Sequence, residues 1–247
     1  MDEFSGQVAL VTGSMSGMGA AIAARLAAGG ATVVLNSRTA PDVPVRFAGA
    51  EHDAMHIACD VSDEVAVTSM INEIESNYGR LDILVNCAGT TVSVAHSDLQ
   101  GVSTDDWYRI FGVNVIGAWN TIKASEHLLR RTKHAVVINI SSVSGSRPAL
   151  GSSVPYAVSK AALNHLTLQM ARVLGPEIRV NAIAPGLIDT PWISGPGWDK
   201  SRLDIERITP LHRIGEPDDI AEACLGLIRS TYVTGSILVV DGGLSLG

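Results

Sequence analysis

Aromatic residues make up only 4% of this 247-residue chain, so its core has to be assembled from aliphatic side chains. Cores of Ala, Val, Ile and Leu are usual in parallel sheets buried on both faces. Cysteine is scarcer still. Cys59, Cys87 and Cys224 are scattered, show no metal-ligand spacing, and read as small buried hydrophobes in a reducing compartment. The histidines show no ligand pattern either; even His52 and His56, four apart, read as surface residues, and no metal is expected. No basic cluster occurs and the net charge is −7, which argues against a nucleic-acid partner. Met1-Asp2-Glu3 puts no basic stretch before an apolar one, so no secretory leader is expected. No run of eighteen apolar residues suggests a membrane span. These absences together predict a soluble, cytoplasmic protein.

Against them stands a hydrophobic content of 46%, enough for one large α/β domain over residues 1–247, with no linker or repeat dividing it. Short apolar runs, the mark of buried strands, occur at Val8–Thr12, Thr32–Asn36, His56–Asp60, Ile83–Asn86, Ala135–Ser141, Arg179–Ala184 and Ile237–Asp241. Helical patterns fall between them at Gly19–Ala28, Glu64–Tyr78, Thr104–Leu128 (one helix or two), Tyr156–Leu174 and Pro217–Arg229. Strands alternating with helices imply βαβ crossovers and a parallel sheet covered on both faces. Two segments break the rhythm. Thr39–Glu51 carries Pro41 and Pro44 and predicts a loop or broken helix; Thr190–Leu211, with three prolines and two glycines, predicts a long irregular loop holding Trp192 and Trp198.

The first strand runs into Gly13-Ser14-Met15-Ser16-Gly17-Met18-Gly19 and then an Ala-rich helix. Gly13 permits a tight turn, Gly17 lets backbone approach a phosphate, and Gly19 allows close helix–strand packing. The helix N-terminus beyond offers N–H groups to a pyrophosphate. This placement predicts a dinucleotide site in a Rossmann-like, doubly wound sheet. At the end of the second strand, Asn36-Ser37-Arg38 has no acidic residue to hold a ribose diol, whereas Arg38 suits a 2′-phosphate. NADP(H) is therefore favoured over NAD(H), although Ser16 stands where a basic residue would strengthen that preference.

Tyr156 and Lys160 are four apart at the start of a helical run, hence on one face one turn apart. A free phenol has a pKa near 10. An adjacent ammonium is expected to lower it toward the range where acid–base catalysis works. Such a pair suits carbonyl/alcohol interconversion.

Taken in order, Thr12-Gly13-(x)3-Gly17-x-Gly19, Asp60-Val61, Asn86-Cys87-Ala88-Gly89, Asn114, Ser142, Tyr156-(x)3-Lys160, Pro185-Gly186 with Thr190, and Asp241-Gly242-Gly243 resemble the short-chain dehydrogenase/reductase family nearly end to end. The likeness is to compact members such as β-ketoacyl-carrier-protein reductases and related alcohol dehydrogenases. It implies a ketone/secondary-alcohol oxidoreductase with Tyr156 as acid/base and Lys160 acting on the phenol and the nicotinamide ribose. Ser142 would position the substrate oxygen, and Asn114 would hold a water in a proton relay. It also implies that Asp60 and Val61 flank the adenine, that Asn86 to Gly89 shape the strand end beside the ribose, and that Pro185, Gly186, Ile188 and Thr190 grip the carboxamide. Ser14, Ser16, Met18 and Ser37 complete the expected cofactor contacts. Relatives use the helices matching Thr104–Leu128 and Tyr156–Leu174 as subunit interfaces, so a homodimer or homotetramer is expected.

The likeness has departures. Cys87 stands where the family often has Asn. Ser142 and Tyr156 are fourteen positions apart, one more than in close relatives, which puts an extra residue within Arg147–Pro155 beside the substrate. Ser141 competes with Ser142 for the same role. The Val94–Gly101, Arg147–Pro155 and Trp192–Leu203 stretches are expected to line the small-molecule pocket, with Trp192 or Trp198 closing over an apolar ligand. Reduction of an imine or activated double bond, and nicotinamide binding without turnover, are the alternative functions.

Overall fold

The computed structural model describes residues 3–48, 53–148, 152–193 and 198–246. Seven strands form one sheet: β1 (Val8–Val11), β2 (Thr32–Ser37), β3 (Met55–Ala58), β4 (Ile83–Asn86), β5 (Ala135–Ile140), β6 (Ile178–Pro185) and β7 (Ile237–Val240). Every neighbouring pair is parallel and the order is β3-β2-β1-β4-β5-β6-β7. The helices are α1 (Gly17–Ala28), α2 (Glu64–Tyr78), α3 (Thr104–Phe111), α4 (Gly117–Leu129), α5 (Val154–Leu174), α6 (Trp198–Ile208) and α7 (Pro217–Arg229).

Strand alternation divides the apolar residues between two layers. Ala9, Val11, Ile83, Val85 and Ile138 pack on one side with Ile22 and Leu26 of α1 and Ile220 and Cys224 of α7. Val8, Leu10, Leu84 and Val137 face the other side, against Met70 and Ile74 of α2 and Ile122 of α4. Period-two alternation in which both sets are apolar is what a sheet buried on both faces requires. Local signals set the helix ends. Asp63 caps α2 by accepting from the Val65 and Ala66 N–H groups at 2.9 and 3.1 Å, and Gly79, at φ 67°, ends it.

Two expectations are corrected. The single run Thr104–Leu128 is broken between α3 and α4 by a π-helical turn at Gly112–Ile116. The irregular segment Thr190–Leu211 contains α6: its prolines and glycines bracket Trp198–Ile208 instead of interrupting it, and Arg202 pairs with Glu206 one turn on at 3.2 Å. From Thr39 to residue 48 the chain has no regular structure, as Pro41 and Pro44 imply. Residues 149–151, the Trp198 side chain and His52 lie outside what is described. No helix among the described residues is long and apolar enough to cross a membrane.

Strand order places β2 and β4 on opposite sides of β1, so the crossovers from β1 and β4 leave in opposite directions. A crevice opens at the C-terminal ends of these two strands. Thr12 closes its floor: its hydroxyl oxygen accepts from the Cys87 and Ala88 N–H groups, both at 3.1 Å, tying the two strand ends together.

Candidate active site

A cleft of about 880 Å³ lies over this crevice. The Gly-rich turn forms one wall, Asn36 to Arg38 and Cys59 to Ser62 form a second, and Cys87 to Thr90 with Thr190 to Trp192 form the far end. The glycines are needed sterically. At Gly13 (φ +62°) a Cβ would stand 2.8 Å from the Ala88 Cα, and at Gly19 it would stand 2.3 Å from the Gly13 carbonyl oxygen. The first intrahelical bond of α1 runs from the Ala20 N–H to the Ser16 carbonyl at 3.2 Å, so the N–H groups of Gly17, Met18 and Gly19 precede it. No acidic residue occupies that first turn. N–H groups that precede the first intrahelical bond, at the positive end of a helix, suit a pyrophosphate. The cradle thus fits a nicotinamide dinucleotide.

At the adenosine end, Arg38 is exposed and pairs with no carboxylate among the described residues. Ser37 sits in a chain of polar contacts: its hydroxyl donates to the Thr39 carbonyl at 2.7 Å and lies 2.8 Å from His56 Nε2. Asp60 Oδ1 accepts from both the N–H and the hydroxyl of Ser62, at 2.9 and 2.7 Å. Ser14 turns away from the cleft and exchanges hydrogen bonds with the Asn36 backbone.

The other end carries the candidate chemistry. Lys160 on α5 is buried, and its Nζ donates to the Ile140 carbonyl at 2.9 Å and stands 5.6 Å from the centre of the Tyr156 ring. The first ring of this site is therefore assembled by the end of β5 and the first turns of α5. Burial pushes the Tyr156 phenol up to about 12, with the adjacent Ser142 hydroxyl working in the opposite direction. Burial likewise pushes Lys160 down to about 8. The phenol is thus raised where a lowering was expected: desolvation is the largest effect on it, and the Lys160 Nζ is directed at the Ile140 carbonyl. At neutral pH Tyr156 is a protonated donor.

Ser141 and Ser142 separate cleanly. The Ser141 hydroxyl donates to the Lys160 carbonyl at 3.2 Å and so packs β5 on α5, whereas Ser142 is the hydroxyl beside the phenol. Asn114 occupies the π-helical turn. Its Oδ1 accepts from the Thr90 N–H at 2.8 Å, and its Nδ2 donates to the Thr90 carbonyl and the Ser159 hydroxyl, both at 3.0 Å. Its side chain therefore anchors the loop after β4 to α5. Short π segments are frequent at functional sites.

Several expected cofactor residues are engaged by contacts within the protein. Asn86 is buried, donating to Asn139 Oδ1 at 2.9 Å and accepting from the Thr121 hydroxyl at 2.6 Å. Gly186 is pressed on Asp241, where a Cβ would meet that residue at 2.7 Å. Ile188 is buried and pairs with Gly215. Of the group Pro185, Gly186, Ile188 and Thr190, only Thr190 lines the cleft, leaning on Gly17. Sequence reading missed Arg109. It donates to the Thr90 hydroxyl at 2.7 Å and to the Thr91 carbonyl at 3.3 Å, holding α3 to the same loop; on a polar helix nothing marks it out. Trp192 meets the Tyr156 ring edge-on at 6.1 Å between centroids and remains 48% exposed. Cys87 lines the cleft, and burial raises its thiol to about 11 against the opposing effect of Lys160, so it stays neutral.

Comparison with known proteins agrees with this architecture. Residues 13–245 match the family model described as enoyl-(acyl carrier protein) reductase. A Streptomyces violaceoruber protein named for a ketoacyl reductase role in the granaticin polyketide synthase is 46% identical over 97% of this chain and 96% of its own. A 3β-hydroxysteroid dehydrogenase of Eggerthella lenta is 36% identical over 99% and 96%. The crystal structure of a short-chain type dehydrogenase/reductase from Mycobacterium marinum superposes with a TM-score of 0.90 at 32% identity, over 99% of this chain and 98% of that one.

The buried lysine makes a stability prediction. An unfolded lysine titrates near 10.5, the folded one near 8. Below pH 8 both states are protonated and the folded state carries the full cost of a buried charge, about 3 kcal/mol at 1.36 kcal/mol per unit. As pH rises from 8 to 10.5 the unfolded state holds the extra proton and that cost is released. Lys160→Met should therefore denature at a higher urea concentration than the wild type at pH 7, by about 1–3 kcal/mol after loss of the Ile140 contact. The advantage should shrink by pH 10. Urea titrations at both pH values check it; a variant less stable at pH 7 sinks the burial argument.

Proposed function

The chain belongs to the short-chain dehydrogenase/reductase family and is an oxidoreductase; from that premise we propose that it interconverts a ketone and a secondary alcohol with NADP(H). The observation that carries this reading is a protonated, partly buried Tyr156 flanked by Ser142 and Lys160, adjoining one end of a dinucleotide-shaped cleft through the cleft-lining Trp192 and Gly89. When bound, the nicotinamide supplies or accepts the hydride. The chain supplies the rest. Gly13 to Gly19 cradle the pyrophosphate, Thr190 and Gly89 bound the nicotinamide end, and Lys160 holds a positive charge near the phenol. In reduction, Tyr156 gives its proton to the carbonyl oxygen while Ser142 donates a hydrogen bond to the same oxygen as charge develops there. Trp192 at the mouth helps exclude water and offers an apolar face to the substrate.

A second reading is reduction of an activated carbon–carbon double bond, which takes its support from the description of the matching family model. Paired hydroxyls at one point favour chemistry at oxygen, so ketone reduction stands first. Among ketones, the relatives named for a ketoacyl compound and a hydroxysteroid point to bulky, largely apolar substrates.

Assembly is part of the proposal. Ile116 and Trp119 are 47% and 39% exposed at the head of α4, and Val158, Leu168 and Val173 are 42%, 44% and 62% exposed along α5. Apolar side chains gathered on neighbouring helices suit a homodimer or homotetramer.

Tyr156→Phe should lower kcat/KM for ketone reduction by roughly a hundred- to ten-thousand-fold while leaving NADPH affinity intact; ordinary turnover in that variant sinks the reading. Arg38→Ala should raise the KM for NADPH roughly ten- to a hundredfold and leave NADH unaffected. Equal effects on both nucleotides would remove the NADP(H) preference. Sedimentation should find an oligomer whose mass falls in Leu168→Glu. A native monomer overturns the proposed assembly.

A further inference from the structure

Beyond β5 the backbone reaches Ser142 in extended conformation (φ −167°, ψ 154°) and then turns through Val143–Gly145. That turn is pressed on α5: a Cβ at Gly145 would stand 2.7 Å from the Lys160 carbonyl carbon. Within it, Ser142 Oγ accepts from the Ser144 N–H at 3.2 Å and from the Ser144 hydroxyl at 2.8 Å. Both serines are buried, at 9% and 5% exposure, so water does not readily replace these contacts.

A hydroxyl has one proton and two lone pairs. Both lone pairs of Ser142 are occupied by Ser144, leaving its own proton as its only remaining hydrogen-bonding capacity. This matters because Tyr156 next to it is also a donor. If Ser142 could accept, the phenol could donate to it, and the two hydroxyls would satisfy each other in place of the substrate oxygen. Filling the acceptor sites of Ser142 closes that route. A hydroxyl that accepts hydrogen bonds is also polarised into a better donor.

We infer that Ser144 is a positioning residue for the reaction, holding Ser142 as an obligate hydrogen-bond donor and keeping the Tyr156 proton for the substrate. The inference rests on the carbonyl-reduction reading above. Ser144 does not line the cleft; it acts through Ser142.

The test is a double-mutant cycle on the intact chain with NADPH and a turned-over ketone. Ser144→Ala should lower kcat roughly tenfold, a fraction of the loss from deleting an oxyanion donor outright, with the KM for NADPH unchanged. Ser144→Thr, which keeps the hydroxyl, should restore kcat, and Ser144→Cys, a weaker donor of similar size, should fall between. In a Ser142→Ala background, Ser144→Ala should add no further loss, because nothing remains for it to orient. Melting temperatures across the set separate folding from positioning. Wild-type kcat in Ser144→Ala, no rescue by threonine, or losses that multiply in the double variant would each overturn the role. Failure of the underlying reading looks different: ordinary ketone turnover by Tyr156→Phe overturns it, whereas multiplying losses at Ser142 and Ser144 overturn only the positioning role.

Discussion

A lysine ammonium buried without a carboxylate partner among the described residues is the constraint around which this site is arranged. Lys160 is 4% exposed, and the contact described for its Nζ is the Ile140 carbonyl at 2.9 Å. A dipole compensates a desolvated cation only in part, which is why its pKa falls. The same burial drives Tyr156 the other way. Desolvation favours the neutral form of each group: a phenol that keeps its proton and an ammonium held within reach of losing one. Position within the fold, more than attraction between the pair, sets their protonation states.

The sheet makes that burial possible. Because every strand runs the same way, the C-terminal ends of β1, β4 and β5 share one edge, and Gly13, Ala88 and Ser142 arrive there from distant parts of the chain. Behind this edge a buried polar ladder runs from Thr121 through Asn86 and Asn139 to Thr167, with each side-chain contact between 2.6 and 2.9 Å. It joins α4 to α5 across β4 and β5 through residues that are all buried. Networks of this kind rigidify when fully satisfied. The π-helical turn between α3 and α4 adds a second brace, with Asn114 clamping Thr90 and Ser159. Both devices hold the α5 end of the site against the loop after β4.

Much of this was legible in residue order. α2, β4 and α7 fall where periodicity puts them, because caps and strand-length apolar runs are local signals. The glycine spacing located the cleft for the same reason: close backbone approach leaves no other residue type. Elsewhere local reading erred. Pro and Gly around Trp198–Ile208 suggested disruption but only bracket α6. Asn86, Gly186 and Ile188 belong to recognisable motifs, and what the structure adds is the contacts that pack them against the rest of the chain. Arg109 reaches the site through folding alone, and no pattern in its neighbourhood announces it, whereas Trp192 was expected over the pocket from its loop and meets the Tyr156 ring there.

The order of strands, helices and glycines, and the i, i+4 placement of Tyr156 and Lys160, follow from the chain itself, since each is a property of neighbours a few residues apart. The charge state of that pair and the division of labour between Ser141 and Ser142 were decided by tertiary structure. A pKa depends on how much water the fold removes, and a hydroxyl's role depends on which partner packing brings to it. Neither quantity exists until distant segments meet.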